Sequence, residues 1–263
     1  MVFSADLILN LLATYLWAFA RIAAMLMVMV VVGSRTTPTR IRLFYALSIT
    51  FAVLPILPPG PADIELFSFA SALVLLQQIL IGIAIGSISI FVVQTFVVAG
   101  QIIAMQTSLG FASMADPSNG QSSPVVGQFY VLLVTLLFLT FDGHLLMIEM
   151  IIRSFDTLPV SINGLLATDY YQLAGWFSIM FSAALAFSIA SMVAMLLVNL
   201  SFGIMTKAAP QLNIFSLGFS VSMVFGLFVL WLTLINVPTH FENQWMRGIN
   251  MMCEILNNVC EQP

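Results

Sequence analysis

The sequence predicts an all-α, membrane-associated chain of about six apolar helical segments, and three observations carry that prediction. Apolar residues make up 61% of the 263 residues and charged residues only 7%, where a soluble domain runs near 45–50% and about 25%. The apolar residues gather in six long runs, at about residues 7–32, 43–57, 66–99, 125–141, 173–205 and 214–237, each read as helical. The runs are uneven: 43–57 is short for a bilayer span and 66–99 is longer than one span needs, which does not suit a plain six-span bundle.

The first run is expected to be retained rather than cleaved, because Asp6 stands where a signal peptide needs positive charge and the first basic residue is Arg21. Arg21 itself lies inside an apolar run. It cannot shed its proton, so it needs a carboxylate, backbone carbonyls or water, and it either pairs or snorkels within the structure or faces a translocation path. Between the first two runs, GSRTTPTRIR carries Arg35, Arg40 and Arg42, which places that loop in the cytoplasm by the positive-inside rule. Alternation then puts the PGPADIE turn outside, Lys207 inside and the C-terminal tail outside.

The third run contains GIAIG, with Gly82 and Gly86, and the sixth repeats Gly218, Ser222 and Gly226 every four residues. Such small residues let helices approach closely, within one chain or between subunits. Gln94, Gln101 and Ser108 recur every seven residues and share one face if the helix continues that far. They serve either a wet surface or interhelical hydrogen bonding, uncharged where charge is costly.

The stretch 101–127, QIIAMQTSLGFASMADPSNGQSSPVVG, is polar yet has Asp116 as its only formal charge. Its Ser, Gly, Gln and Pro content interrupts helix. Irregular backbone flanked by membrane segments lies in water, as an ordinary solvated connector, or is enclosed by protein lining a cavity. The second case makes it a candidate pore element.

After the fourth run, FDGH reads as a turn between two helices with Gly143 as the bend. Asp142, His144 and Glu149 match no metal-ligand spacing. Glu149 and Arg153, four residues apart, read as a helical ion pair. The tail reads as an amphipathic helix whose apolar face, Trp245, Ile249, Met252, Leu256 and Val259, docks on the membrane interface or on a partner. In one continuous helix Cys253 and Cys260 stand roughly 10 Å apart, beyond disulfide reach. They are therefore expected to stay unpaired unless the tail unwinds.

Several function classes drop out. Seven basic against eleven acidic residues leave no electrostatic footprint for nucleic acid. No Walker-type phosphate loop, HExxH or GxSxG occurs, and two histidines offer little material for a catalytic triad. No enzyme activity and no cofactor or metal is expected. A secondary transporter of a small solute remains the alternative, and it requires a second discontinuous segment, for which TKAAPQLN at 206–213 is a weak candidate.

Four stretches in combination resemble the FliR family of flagellar type III export-gate proteins, whose injectisome relatives serve virulence secretion. They are LLQQILIGIAIG (75–86), AGQIIAMQTSLGFASMADPSNGQSSPVVGQF (99–129), LLFLTFDGHLLMI (136–148) and TKAAPQLNIFSLGF (206–219). The resemblance spans nearly the whole chain. It implies one export-gate domain over 1–263, an N-terminal part like FliP followed by a C-terminal part like FliQ, made of kinked helical hairpins that assemble into a conical stack raised toward the periplasm. It implies assembly with FliP and FliQ, and further partners in FlhB, FlhA, membrane lipid and the unfolded flagellar proteins being exported. The location implied is the bacterial inner membrane, within the flagellar basal body. The 101–127 stretch then resembles a plug loop, through Gln106, Leu109, Gly110, Phe111, Ala112, Met114, Asp116 and Pro117. The chain departs from the family pattern where Thr107 and Ser108 replace a possible Met-Gly, and where Met114 replaces a possible bulky aromatic. Phe111 and Met114 would fill an apolar constriction, with Asp116 and Pro117 starting the turn that bounds it.

Overall fold

The computed structural model describes residues 5–34, 36–58, 60–61, 64, 67–110, 125–161, 164–208 and 214–256. Among them the chain is all α-helical: α1 Ala5–Val28, α2 Thr39–Val53 with a 3-10 turn at Leu54–Ile56, α3 Phe69–Gln106, α4 Val125–Thr140, α5 Gly143–Thr157, α6 Ala167–Ala208, α7 Ile214–Leu234 and α8 Val237–Ile255. Three helices, Thr39–Ile56, Phe69–Gln106 and Ala167–Ala208, are long and apolar enough to cross a membrane, or up to five if each bent pair is one span. The protein is an integral membrane protein.

Polar side chains mark the helix starts. Ser68 Oγ accepts from Ser71 N at 3.1 Å at the head of α3, and Asp169 Oδ2 accepts from Leu166 N at 2.7 Å at the head of α6. Both satisfy amides that a first turn leaves unpaired, and the carboxylate also faces the positive end of the helix dipole. The uneven runs resolve into helices of unequal length. At 38 and 42 residues, α3 and α6 are about 57 and 63 Å long, roughly twice a hydrocarbon core.

The described helices form two compact units, Met1–Phe91 with Phe138–Trp176 and Trp245–Pro263, and Val92–Leu137 with Phe177–Gln244. In the first, α1 and α3 cross closely: a Cβ on Gly82 would lie 2.9 Å from Ala24 Cβ, and one on Gly86 would lie 2.7 Å from Met25 O. Arg21 is fully buried there and does not snorkel. Its Nε donates to Gln78 Oε1 at 2.7 Å, Nη1 to Ser154 O at 2.8 Å and Ser154 Oγ at 3.1 Å, and Nη2 to Leu158 O at 2.8 Å. Its guanidinium carbon lies 4.1 Å from the Phe155 ring centre. Backbone carbonyls, one of the three expected kinds of partner, take the role together with neutral side chains, which the expectation did not include.

Three expectations need correction. The bend after α4 is not at Gly143: Asp142 adopts the left-handed conformation, with φ 53, where α4 and α5 meet at 64°. Gly143 serves close approach instead, since a Cβ there would lie 2.5 Å from Phe138 Cδ2. The apolar face of the tail does not wait for lipid or a partner: Trp245, Ile249, Met252 and Leu256 are buried within the chain, with Trp245 edge-on to Phe138 at 5.1 Å. Val259 lies outside the described residues. Finally, Cys253 is disulfide-bonded. The unpaired expectation assumed a helix running through Cys260, whereas α8 is described only to Ile255; Cys260, the chain's other cysteine, lies outside the described residues.

Candidate functional site: the stem of the charge-poor segment

Residues 111–124 lie outside the described residues, and with them Phe111, Ala112, Met114, Asp116 and Pro117. What can be built is the stem from which that segment leaves and to which it returns, all within the second unit.

The two arms are the end of α3 and the start of α4, and they meet through glycine. A Cβ on Gly100 would lie 2.9 Å from Gly127 Cα and 2.8 Å from Tyr130 Cδ2, so the backbones cross at a distance that any larger residue would push apart. Sequence reasoning missed this pair. The available signal was Gly-Gln at both ends of the stretch, Gly100-Gln101 and Gly127-Gln128. Beside this crossing lies an aromatic cluster. Tyr130 and Phe187 are edge-on at 5.7 Å, Phe96 and Phe187 at 5.6 Å, and Phe187 and His240 at 5.2 Å. Tyr130 and Thr233 exchange a buried hydroxyl hydrogen bond of 2.9 Å. These contacts tie α3, α4, α6, α7 and α8 around the stem with geometry that aromatic pairs favour.

Beyond the crossing, α3 ends at Gln106. Thr107 is fully buried, with its amide donating to Ile103 O at 3.0 Å and its hydroxyl to Ala104 O at 3.3 Å. Ser108 then turns left-handed, with φ 62, in the manner of the residue that ends many helices. Ser108 therefore does not continue a helical face with Gln94 and Gln101; Gln94 is exposed, and Gln101, Gln106, Ser108, Leu109 and Gly110 are half-buried. Thr107 is seated beneath α7: a Cβ on Gly226 would lie 2.6 Å from Thr107 Cγ2 and would overlap its Cβ. One turn earlier Ser222 hydrogen-bonds Asn199 of α6 at 3.3 Å, and Gly218, a further turn back, is half-buried. The small-residue face of α7 thus packs against its own chain. In the first unit Arg153 Nη2 lies 2.7 Å from Glu149 Oε1, with both side chains half exposed, a geometry worth only about 0.3–0.5 kcal/mol. Among the described residues no three His, Cys, Asp or Glu side chains come together as a metal-holding group.

The described part of this all-helical membrane chain gathers five helices around the stem of a long, nearly uncharged segment. Residues 12–248 match the family described as bacterial export proteins, family 1, and the chain belongs to that family. It is similar to the flagellar biosynthetic protein FliR of Pectobacterium carotovorum subsp. carotovorum, 34% identical over 250 residues that cover 95% of both chains. It is 32% identical to the flagellar biosynthetic protein FliR of Escherichia coli K12 over 251 residues, again 95% of both. With the flagellar biosynthetic protein FliR of Caulobacter vibrioides it shares 32% identity over 233 residues, 86% of this chain and 90% of the relative.

Proposed function

We propose that this chain is a structural, channel-forming subunit of the flagellar type III protein export gate, and that its 106–117 stretch plugs the protein-conducting pore at rest. The chief support is a coincidence: a member of an export-protein family carries a long segment with a single charge on a stem clamped by two glycine contacts and an aromatic cluster. A plug must block small ions and yet give way to an unfolded chain. Weak apolar contacts on a movable segment meet both needs, and a rigid stem returns the segment to one place.

The gate lies in the inner membrane of the flagellar basal body, raised toward the periplasm. The chain works there with FliP and FliQ, alongside FlhB and FlhA, and passes unfolded flagellar proteins. Its FliP-like part precedes its FliQ-like part. The disulfide at Cys253 belongs to an oxidising compartment, which agrees with a C-terminal tail outside the cytoplasm. Deleting residues 110–122 in a gate assembled with FliP and FliQ should raise small-ion leak across the membrane. Leak equal to that of the intact gate would overturn the plug.

A further inference from the structure

We propose that Gly226 is the residue that positions the plug stem: having no side chain, it lets α7 seat directly on Thr107 and so fixes where the chain turns out of α3. This rests on the plug reading above. Three features converge on one residue. Thr107 is fully buried and held by two hydrogen bonds to the preceding turn. Its Cβ would overlap a methyl on Gly226, and rotation about the first torsion does not move that atom. The next residue, Ser108, leaves the helix with φ 62, so displacement of Thr107 is passed directly to the stem.

A methyl on Gly226 would sit 2.6 Å from Thr107 Cγ2, whereas carbon atoms in contact rest about 3.5–4.0 Å apart. Relief therefore requires α7 and the stem to separate by about 1 Å. Moving the side chain from one partner to the other restores the fit, because with Thr107 reduced to glycine the nearest remaining Thr107 atom is its Cα, at 3.4 Å.

The test compares small-ion leak through gates assembled with FliP and FliQ carrying Gly226→Ala, Thr107→Gly, the double exchange, and Gly203→Ala, where an added Cβ meets nothing within 4 Å. Gly226→Ala and Thr107→Gly should each raise resting leak about tenfold, the change given by losing about 1.4 kcal/mol of closed-state preference. The double exchange and Gly203→Ala should leak like the unaltered gate. A defect arising anywhere other than the Gly226–Thr107 contact would not be repaired by the exchange. If Gly226→Ala prevents assembly, Thr107→Gly, which adds no atom, decides by the same measurement. Unchanged leak in the assembled single variants, or a double exchange that leaks like Gly226→Ala, overturns the assignment. If deletion of 110–122 leaks while these variants do not, only the positioning role fails; if the deletion itself does not leak, the plug fails.

Discussion

Arg21 holds three helices with one side chain, and its partners explain how a charge survives in an apolar helix. Two of its contacts are carbonyls at the C-terminal end of α5, Leu158 O and Ser154 O, the latter also accepting from Leu158 N at 2.9 Å, where the helix dipole favours a cation. The guanidinium fork reaches both and still turns Nε to Gln78 on α3, a geometry that a lysine ammonium cannot copy. Replacing Arg21 by Met should leave Gln78 Oε1 and Leu158 O without this donor, at about 1–3 kcal/mol each. Gln78→Leu removes one acceptor and leaves one donor, so it should cost less. Denaturation midpoints of the two variants in detergent should rank in that order, and equal losses would mean that the carbonyls of α5 do not depend on Arg21. Ser108 is the second residue whose conformation matters. Its φ of 62 costs an L-residue about 1–2 kcal/mol, a cost that glycine at this position would avoid.

At the scale of elements, the α4–α5 bend shows what a glycine is for. Glycine normally weakens a helix by about 0.8–1.0 kcal/mol relative to alanine, so Gly→Ala on an open helix face should stabilise. At Gly143 the added Cβ would strike two atoms of the Phe138 ring at 2.5 Å. That ring is buried and braced by Trp245, so it cannot yield cheaply. Gly143→Ala should therefore destabilise by about 1–3 kcal/mol, while Gly175→Ala and Gly203→Ala, with nothing within 4 Å, should raise the melting temperature or leave it unchanged. Thermal unfolding in detergent reads both signs, and a stabilised Gly143→Ala would sink the packing account. The bend also shows where the sequence was legible. Asp-Gly after an apolar run announced a turn, but sequence habit gives positive φ to the glycine, and only the buried Phe138 ring reveals that Asp142 takes it. The six apolar runs marked α1 to α4, α6 and α7, because long apolar stretches have few alternatives to helix. The crossing of Gly100 and Gly127 and the burial of the α8 face depend on which helices meet, which a one-dimensional pattern does not contain.

For the whole molecule, the decisive quantity is the length of apolar surface compared with the thickness of lipid. Exposed large apolar side chains continue along α6 from Phe181 through Ile189 and Leu196 to Ile204, a rise of about 35 Å, and Tyr171 extends the series by about 15 Å more. A hydrocarbon core covers about 30 Å. Only one third of the most apolar part of α6 is buried by the chain itself, so lipid alone leaves part of this face in water, where large apolar patches mark interaction sites. FliP and FliQ are the proposed cover. Lysine placed singly at Phe181, Ile189, Leu196 and Ile204 should then separate into two classes. Positions at lipid depth should lose membrane insertion, because a central lysine costs about 2.5–3.5 kcal/mol there. Positions beyond it should leave the chain in the membrane but lower its co-purification with FliP and FliQ. Membrane fractionation and affinity recovery from the same cells measure the two losses separately. If every variant that remains in the membrane recovers its partners in full, the excess apolar length of α6 is not an assembly surface, and the proposed gate contacts must lie on other helices.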